Sequence, residues 1–198
     1  MNQNKLTVYC GPMFSRKSGE LLNAADRAGC AKEKTIAFIP HKDTRSECYI
    51  KSRAFNNPCP AIQIQNAYET IQHIENKIAS EDRPIKSVTL LFDEAQFFHR
   101  DLIAIIKKLL SNELFPEIKK TIFVAGLDLD AWRKTFKDEV IPVLMALADN
   151  VHKLTAICFK CGEPAIFTQK IGGSSNQIEI GDREIYEARC RSCHTIPA

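Results

Sequence analysis

Over the first 150 residues, short apolar runs alternate with amphipathic stretches. LTVYC (6–10), TIAFIP (35–40), SVTLLFDE (87–94) and TIFVAG (121–126) are apolar along most of their length. That is the texture of strands buried on both faces. Between them lie segments with helical spacing. SGELLNAADRAGCAKEK (18–34) sets Leu21, Leu22, Ala25 and Ala28 three and four apart, and AYETIQHIENKIAS (67–80) puts Ile71, Ile74 and Ile78 on one face. DLIAIIKKLLSNEL (101–114) reads as a helix, and so does DEVIPVLMALAD (138–149) in spite of Pro142. Residues 41–60 are polar, carry two prolines near their end, and read as a long loop. Alternating strands and helices predict an α/β fold, a parallel sheet flanked by helices. After about residue 150 the pattern changes to short strand-like pieces, glycines and two CxxC pairs. The expected division is an α/β domain over 1–150 and a small C-terminal unit over 151–198.

Composition narrows the classes. A chain of 198 residues with 44% hydrophobic residues can bury a core in one domain with an appendage. The net charge of +3, from 27 basic and 24 acidic residues, is too balanced to point to nucleic acid. No run approaches a secretory signal or the roughly 20 apolar residues of a membrane span. A cytoplasmic protein without a membrane partner is therefore expected. Of eight cysteines, Cys10, Cys30, Cys48 and Cys59 stand alone, and the other four form the CxxC pairs. That distribution favours metal ligands over disulfides.

Candidate chemistry begins at GPMFSRKSGELL (11–22). A strand, a turn opening on glycine and a helix place backbone N–H groups where they attract anions. Lys17 and Ser18 stand where a phosphate-binding loop keeps its phosphate lysine and its Mg²⁺-binding hydroxyl. Arg16 occupies the place of the second glycine, so the motif alone is also compatible with an ordinary turn. The strand ending in Asp93 and Glu94 shifts the balance. An aspartate at the end of an apolar strand suits a metal-bound phosphate, and an adjoining carboxylate can take a proton from an attacking hydroxyl. Both features fall at the C-terminal ends of predicted parallel strands, where such sheets bind ligands.

Cys158-x-x-Cys161 and Cys190-x-x-Cys193 have the spacing of a four-thiolate structural zinc site. The 28 residues between the pairs form a long excursion. His194 is an alternative to Cys193 as the fourth ligand. Reduced thiols and redox pairs are the other readings, and no thioredoxin-like unit surrounds these cysteines to support the second.

Taken in order, six blocks resemble the type II thymidine kinase family. They are GPMFSRKSGELL, KDTRSECYIKSR (42–53), FDEAQFF (92–98), GLDLDAWRKTF (126–136), VHKLTAICFKCGEPAIFT (151–168) and IEIGDREIYEARCRSC (178–193). The resemblance implies transfer of the ATP γ-phosphoryl group to the 5′-hydroxyl of thymidine or deoxyuridine. It implies Glu94 as catalytic base. Gly11, Pro12, Met13, Phe14, Ser15, Arg16, Lys17, Ser18, Asp43, Thr44, Arg45, Asp93 and Gln96 would surround ATP and its Mg²⁺. The excursion between the cysteine pairs would be a lasso closing over the nucleoside, its base tied by structural Zn²⁺. Gln177, Ile178, Glu179, Ile180, Gly181 and Tyr186 match family positions that touch the nucleoside. A homotetramer is implied as well, and a nucleic-acid partner is not.

Three positions depart from the family pattern. Arg16 replaces a glycine whose backbone is expected at positive φ, and its side chain either adds a phosphate contact or fills the phosphate site. Ala131 falls where the family has a phenylalanine beside the base, with Trp132 the neighbouring substitute or turned elsewhere. Arg53 follows Ser52 where the family has histidine. An impaired, nucleotide-binding relative is the alternative these departures leave open.

Overall fold

The computed structural model of the protein describes residues 3–41, 48–53, 56–174, 176, 179 and 181–197. The chain runs β1 (Lys5–Cys10), α1 (Lys17–Cys30), β2 (Lys34–Pro40), β3 (Tyr49–Ile50), β4 (Cys59–Pro60), β5 (Ile62–Ile64), α2 (Glu69–Ala79) and β6 (Ser87–Phe92). A 3₁₀ turn (Ala95–Phe97), α3 (Asp101–Leu110), β7 (Lys119–Gly126), α4 (Val140–Leu147) and β8 (Asn150–Lys153) follow. Six strands form one sheet in the order β5-β2-β6-β7-β1-β8. All of its pairings are parallel.

The apolar strands are explained by burial on both faces. Ile36, Phe38, Leu90, Phe92, Ile122 and Val124 point to one side, where Ile74, Leu102, Ile106 and Leu144 of α2, α3 and α4 cover them. Their neighbours Ala37, Ile39, Leu91 and Ala125 point to the other side and pack under Leu21 and Leu22 of α1. The period-2 alternation survives, but both phases are apolar.

Element ends differ from the sequence expectation for local reasons. The last helix begins at Val140 and not at Asp138. Pro142 then lies in the first turn, where its missing N–H breaks no helical bond. The 41–60 stretch is not loop throughout, because β3 and β4 pair as a short antiparallel hairpin. The sheet takes one strand more on its β1 side, β8, whose four residues are all exposed.

The C-terminal segment folds as two small antiparallel pairs, β9 (Ala156–Ile157) with β10 (Pro164–Ala165) and β11 (Phe167–Lys170) with β12 (Tyr186–Arg189). Ala156, Cys158, Ala165, Ala188 and Cys190 make its own small core, against which Phe14 packs.

Candidate functional site

The turn from β1 to α1 has a strained backbone. Gly11 has φ 139°, and a Cβ there would lie 2.3 Å from the Leu154 carbonyl oxygen. Phe14 and Arg16 both have φ 66°. Arg16, with ψ 23°, immediately precedes α1 in the left-handed region. It therefore keeps the turn that glycine adopts freely, at a cost of about 1–2 kcal/mol for a residue with a Cβ. Its side chain is exposed, so it does not fill the loop from within. Inside the turn, Ser15 Oγ donates to Pro12 O at 2.8 Å and Lys17 Nζ donates to the same oxygen at 2.7 Å. Lys17 is buried, and burial lowers its pKa while Glu94 and then Asp93 act to raise it.

Asp93 follows β6 directly. It is 6% exposed, and its carboxylate accepts hydrogen bonds from the Ser18 side chain and, at 2.9 Å, from the Glu94 amide. Burial, then the neighbouring Glu94 charge, pushes its pKa from 3.8 to about 7. Glu94 itself has φ 50°. Gln96 holds it: Nε2 donates to Glu94 Oε2 at 2.6 Å, while Oε1 accepts the Leu127 amide at 2.9 Å. The carboxylate is thus tied to the end of β7.

These groups border a cavity of about 870 Å³. Arg16, Lys17, Ser18 and Glu94 line one side, and Phe97, Ala131 and Phe136 add an apolar wall. Glu179, Gly181 and Tyr186 reach it from the C-terminal segment. Tyr186 donates its hydroxyl to Glu179 O at 2.9 Å. Trp132 is not on this wall; the Lys170 ammonium lies 6.0 Å from its ring centre. Asp43, Thr44, Arg45, Gln177, Ile178 and Ile180 lie outside the described residues.

Sequence reasoning missed several groups that hold this site together. Asp128 is 7% exposed and pairs with Lys153 at 2.8 Å. Thr168 Oγ1 accepts the Met13 amide at 3.0 Å, joining the turn to β11. Arg53 pairs with Asp182 and lies 5.5 Å from the Phe14 ring centre. Each contact joins residues 25 or more apart, where no local period marks them. The DLD triplet at 128–130 and the departure at Arg53 were the visible signals.

The four paired cysteines converge. The sulfurs of Cys158, Cys161, Cys190 and Cys193 all lie within 4.8 Å of one another. Burial alone would push the Cys158 thiol up, but amide hydrogen bonds from Cys190, Lys160 and Cys161 bring it down to about 6. Cys193 is pushed up to about 12, first by Cys161 and then by Cys190. Four crowded sulfurs cannot all ionise without a cation, and soft thiolates in this number fit Zn²⁺. His194 faces elsewhere. Its Nδ1 accepts from Arg133 Nε at 3.1 Å and its Nε2 lies 3.1 Å from Thr168 O. Cys193 is accordingly the fourth member of the cluster.

A parallel α/β sheet with a lysine-bearing turn before a helix and an acid pair at a strand end is an arrangement suited to nucleotide phosphates. Known proteins agree with that class. The thymidine kinase family profile matches residues 4–194. A thymidine kinase of Mycoplasma genitalium is 37% identical over 191 residues, spanning 95% of this chain and 82% of that protein. The chain belongs to the thymidine kinase family.

Proposed function

We propose that the protein transfers the γ-phosphoryl group of ATP to the 5′-hydroxyl of thymidine or deoxyuridine. The observation that carries this reading is the convergence of Lys17, Ser18 and Glu94 on one cavity, with Asp93 bonded to Ser18 behind it. Hard oxygen donors of this kind fit Mg²⁺, which Ser18 and Asp93 would hold with the ATP phosphates. Bound there, the ion offsets phosphate charge. Lys17 exchanges its bond to Pro12 O for one to the β- and γ-phosphates. Gln96 aims the Glu94 carboxylate into the cavity.

The nucleoside 5′-oxygen forms the new bond to the γ-phosphorus, and the bond from that phosphorus to the β–γ bridging oxygen breaks. Glu94 accepts the hydroxyl proton, and ADP leaves with the bridging oxygen and its electron pair. Phe97, Ala131, Phe136 and Tyr186 offer the nucleoside an apolar enclosure. Positioning and electrostatics supply most of the rate in such a transfer. The same reading assigns residues 1–150 to the nucleotide, 151–198 to a zinc-tied lasso, and the chain to a cytoplasmic homotetramer.

The test is incubation of the purified protein with ATP, Mg²⁺ and a panel of deoxynucleosides. Thymidine or deoxyuridine monophosphate is the expected product. No monophosphate at high enzyme concentration, with ATP still bound, would instead establish the impaired binding protein.

A further inference from the structure

Arg16 is the one strained residue of the turn whose side chain lines the cavity without a partner among the described residues. It lines the cavity beside Lys17 and Ser18, and its side chain is exposed. Among the described residues, no hydrogen bond, ion pair or ring contact engages its guanidinium. The other cavity arginines differ. Arg53 is paired with Asp182, and Arg183 lies over Phe14 and Phe159 at 5.9 and 5.8 Å. A left-handed arginine is unfavourable wherever glycine would serve, and such outliers gather at functional sites. The turn holds its shape regardless, so the arginine has not unravelled the phosphate cradle.

The neighbouring lysine gives the charge a purpose. Lys17 is buried, held by Pro12 O, and disfavoured in its charged form by burial. A guanidinium stays charged at every working pH, and its planar fork matches two phosphate oxygens at once. From this geometry we infer that Arg16 is a phosphate-binding residue, its guanidinium contacting non-bridging oxygens of the terminal phosphates of ATP. This deepens the kinase reading and rests on it for the identity of the nucleotide.

Three variants separate strain from charge. Arg16→Gly removes both, Arg16→Ala removes the charge but keeps the Cβ, and Arg16→Lys keeps the charge without the fork. Arg16→Gly is expected to raise Tm by roughly 2–5 °C, while the other two leave it nearly unchanged. By calorimetry, Mg²⁺·ATP should bind Arg16→Gly and Arg16→Ala at least about tenfold more weakly than the parent. Arg16→Lys should recover part of the loss. Turnover, as kcat/KM for ATP, should fall on the order of 100-fold in the Gly and Ala variants.

Equal or tighter ATP binding by Arg16→Gly or Arg16→Ala would overturn the inference. A parent that binds ATP yet makes no monophosphate would overturn the kinase reading alone, since the calorimetric comparison still decides Arg16. A parent with no measurable ATP binding would overturn both.

Discussion

Asp93 and Lys17 are charged groups of opposite sign taken out of water within one small site, and each is less comfortable charged than in solution. For Asp93 the consequence can be signed. Its folded pKa of about 7 exceeds the 3.8 of the unfolded chain. Between these values the folded state binds the extra proton, so this group's contribution to stability declines as pH rises from 4 to 7. Urea unfolding of the parent and Asp93→Asn across that range should show the parent losing ground relative to the variant. The same proton opposes Mg²⁺. Affinity for Mg²⁺·ATP should therefore rise from pH 5.5 to 7.5 in the parent and be flat, and weak, in Asp93→Asn.

Glu94 has a different task, and its partner defines the cleanest substitution. Glu94→Gln keeps the side-chain length but cannot accept the hydroxyl proton. We expect kcat to fall by about 10²–10⁴ with the KM for ATP changed little. A variant that lost ATP affinity instead would place Glu94 at the metal and not at the proton.

At the scale of elements, one buried cation secures the route from α3 to β7. Lys120 is fully buried, and Nζ donates to Asn112 Oδ1, Leu114 O and Phe115 O at 2.9, 3.0 and 2.9 Å. Asn4 completes the cluster, donating to Leu109 O and Leu110 O while its Oδ1 accepts the Lys120 amide. These bonds satisfy carbonyls at the end of α3 that have no helical partner. Asn112 Oδ1 keeps a bond from Asn4 and Phe115 O keeps one from the Ile118 amide, so Lys120→Met would leave Leu114 O unpaired and weaken the other two. We expect a loss of about 1–3 kcal/mol by urea denaturation with kcat preserved.

Such a lysine was invisible in the sequence, where KKTIFVAG begins like any solvated strand end. The central strands were legible because both of their faces are apolar. β8 was not, because NVHK at an exposed edge carries neither an apolar run nor alternation. The catalytic candidates were legible because Lys17, Ser18, Asp93 and Glu94 each sit at an element boundary that the pattern marks. Arg16 was legible in backbone, since a missing glycine announces a positive φ, but not in where its side chain goes. The Ala131 and Trp132 pair illustrates the same limit. Their order is plain, yet only the backbone turn fixed by Asp130 Oδ1, which accepts the Trp132 and Lys134 amides, puts Ala131 on the cavity wall.

Across the whole molecule, hydrogen bonds, ion pairs and ring contacts placed around the cavity join the cysteine-rich segment to the sheet. Leu154 N donates to Cys10 O, Met13 N to Thr168 Oγ1, and Arg133 to the His194 ring and carbonyl. The segment's own core is five small residues, too little apolar area to hold a fold unaided. A Zn²⁺ ion on the four sulfurs would supply the missing stability, and metal analysis should find one zinc per chain in the parent and much less in Cys193→Ser. Because Thr168 and Tyr186 sit on β11 and β12, loss of the metal should reach the nucleoside before it reaches the sheet. Chelation is expected to raise the nucleoside KM at least about tenfold while the helical circular dichroism persists. The large two-sided core of the sheet domain does not depend on those sulfurs. If helices and activity vanish together on chelation, the two parts form one cooperative unit, bound by the contacts around the cavity.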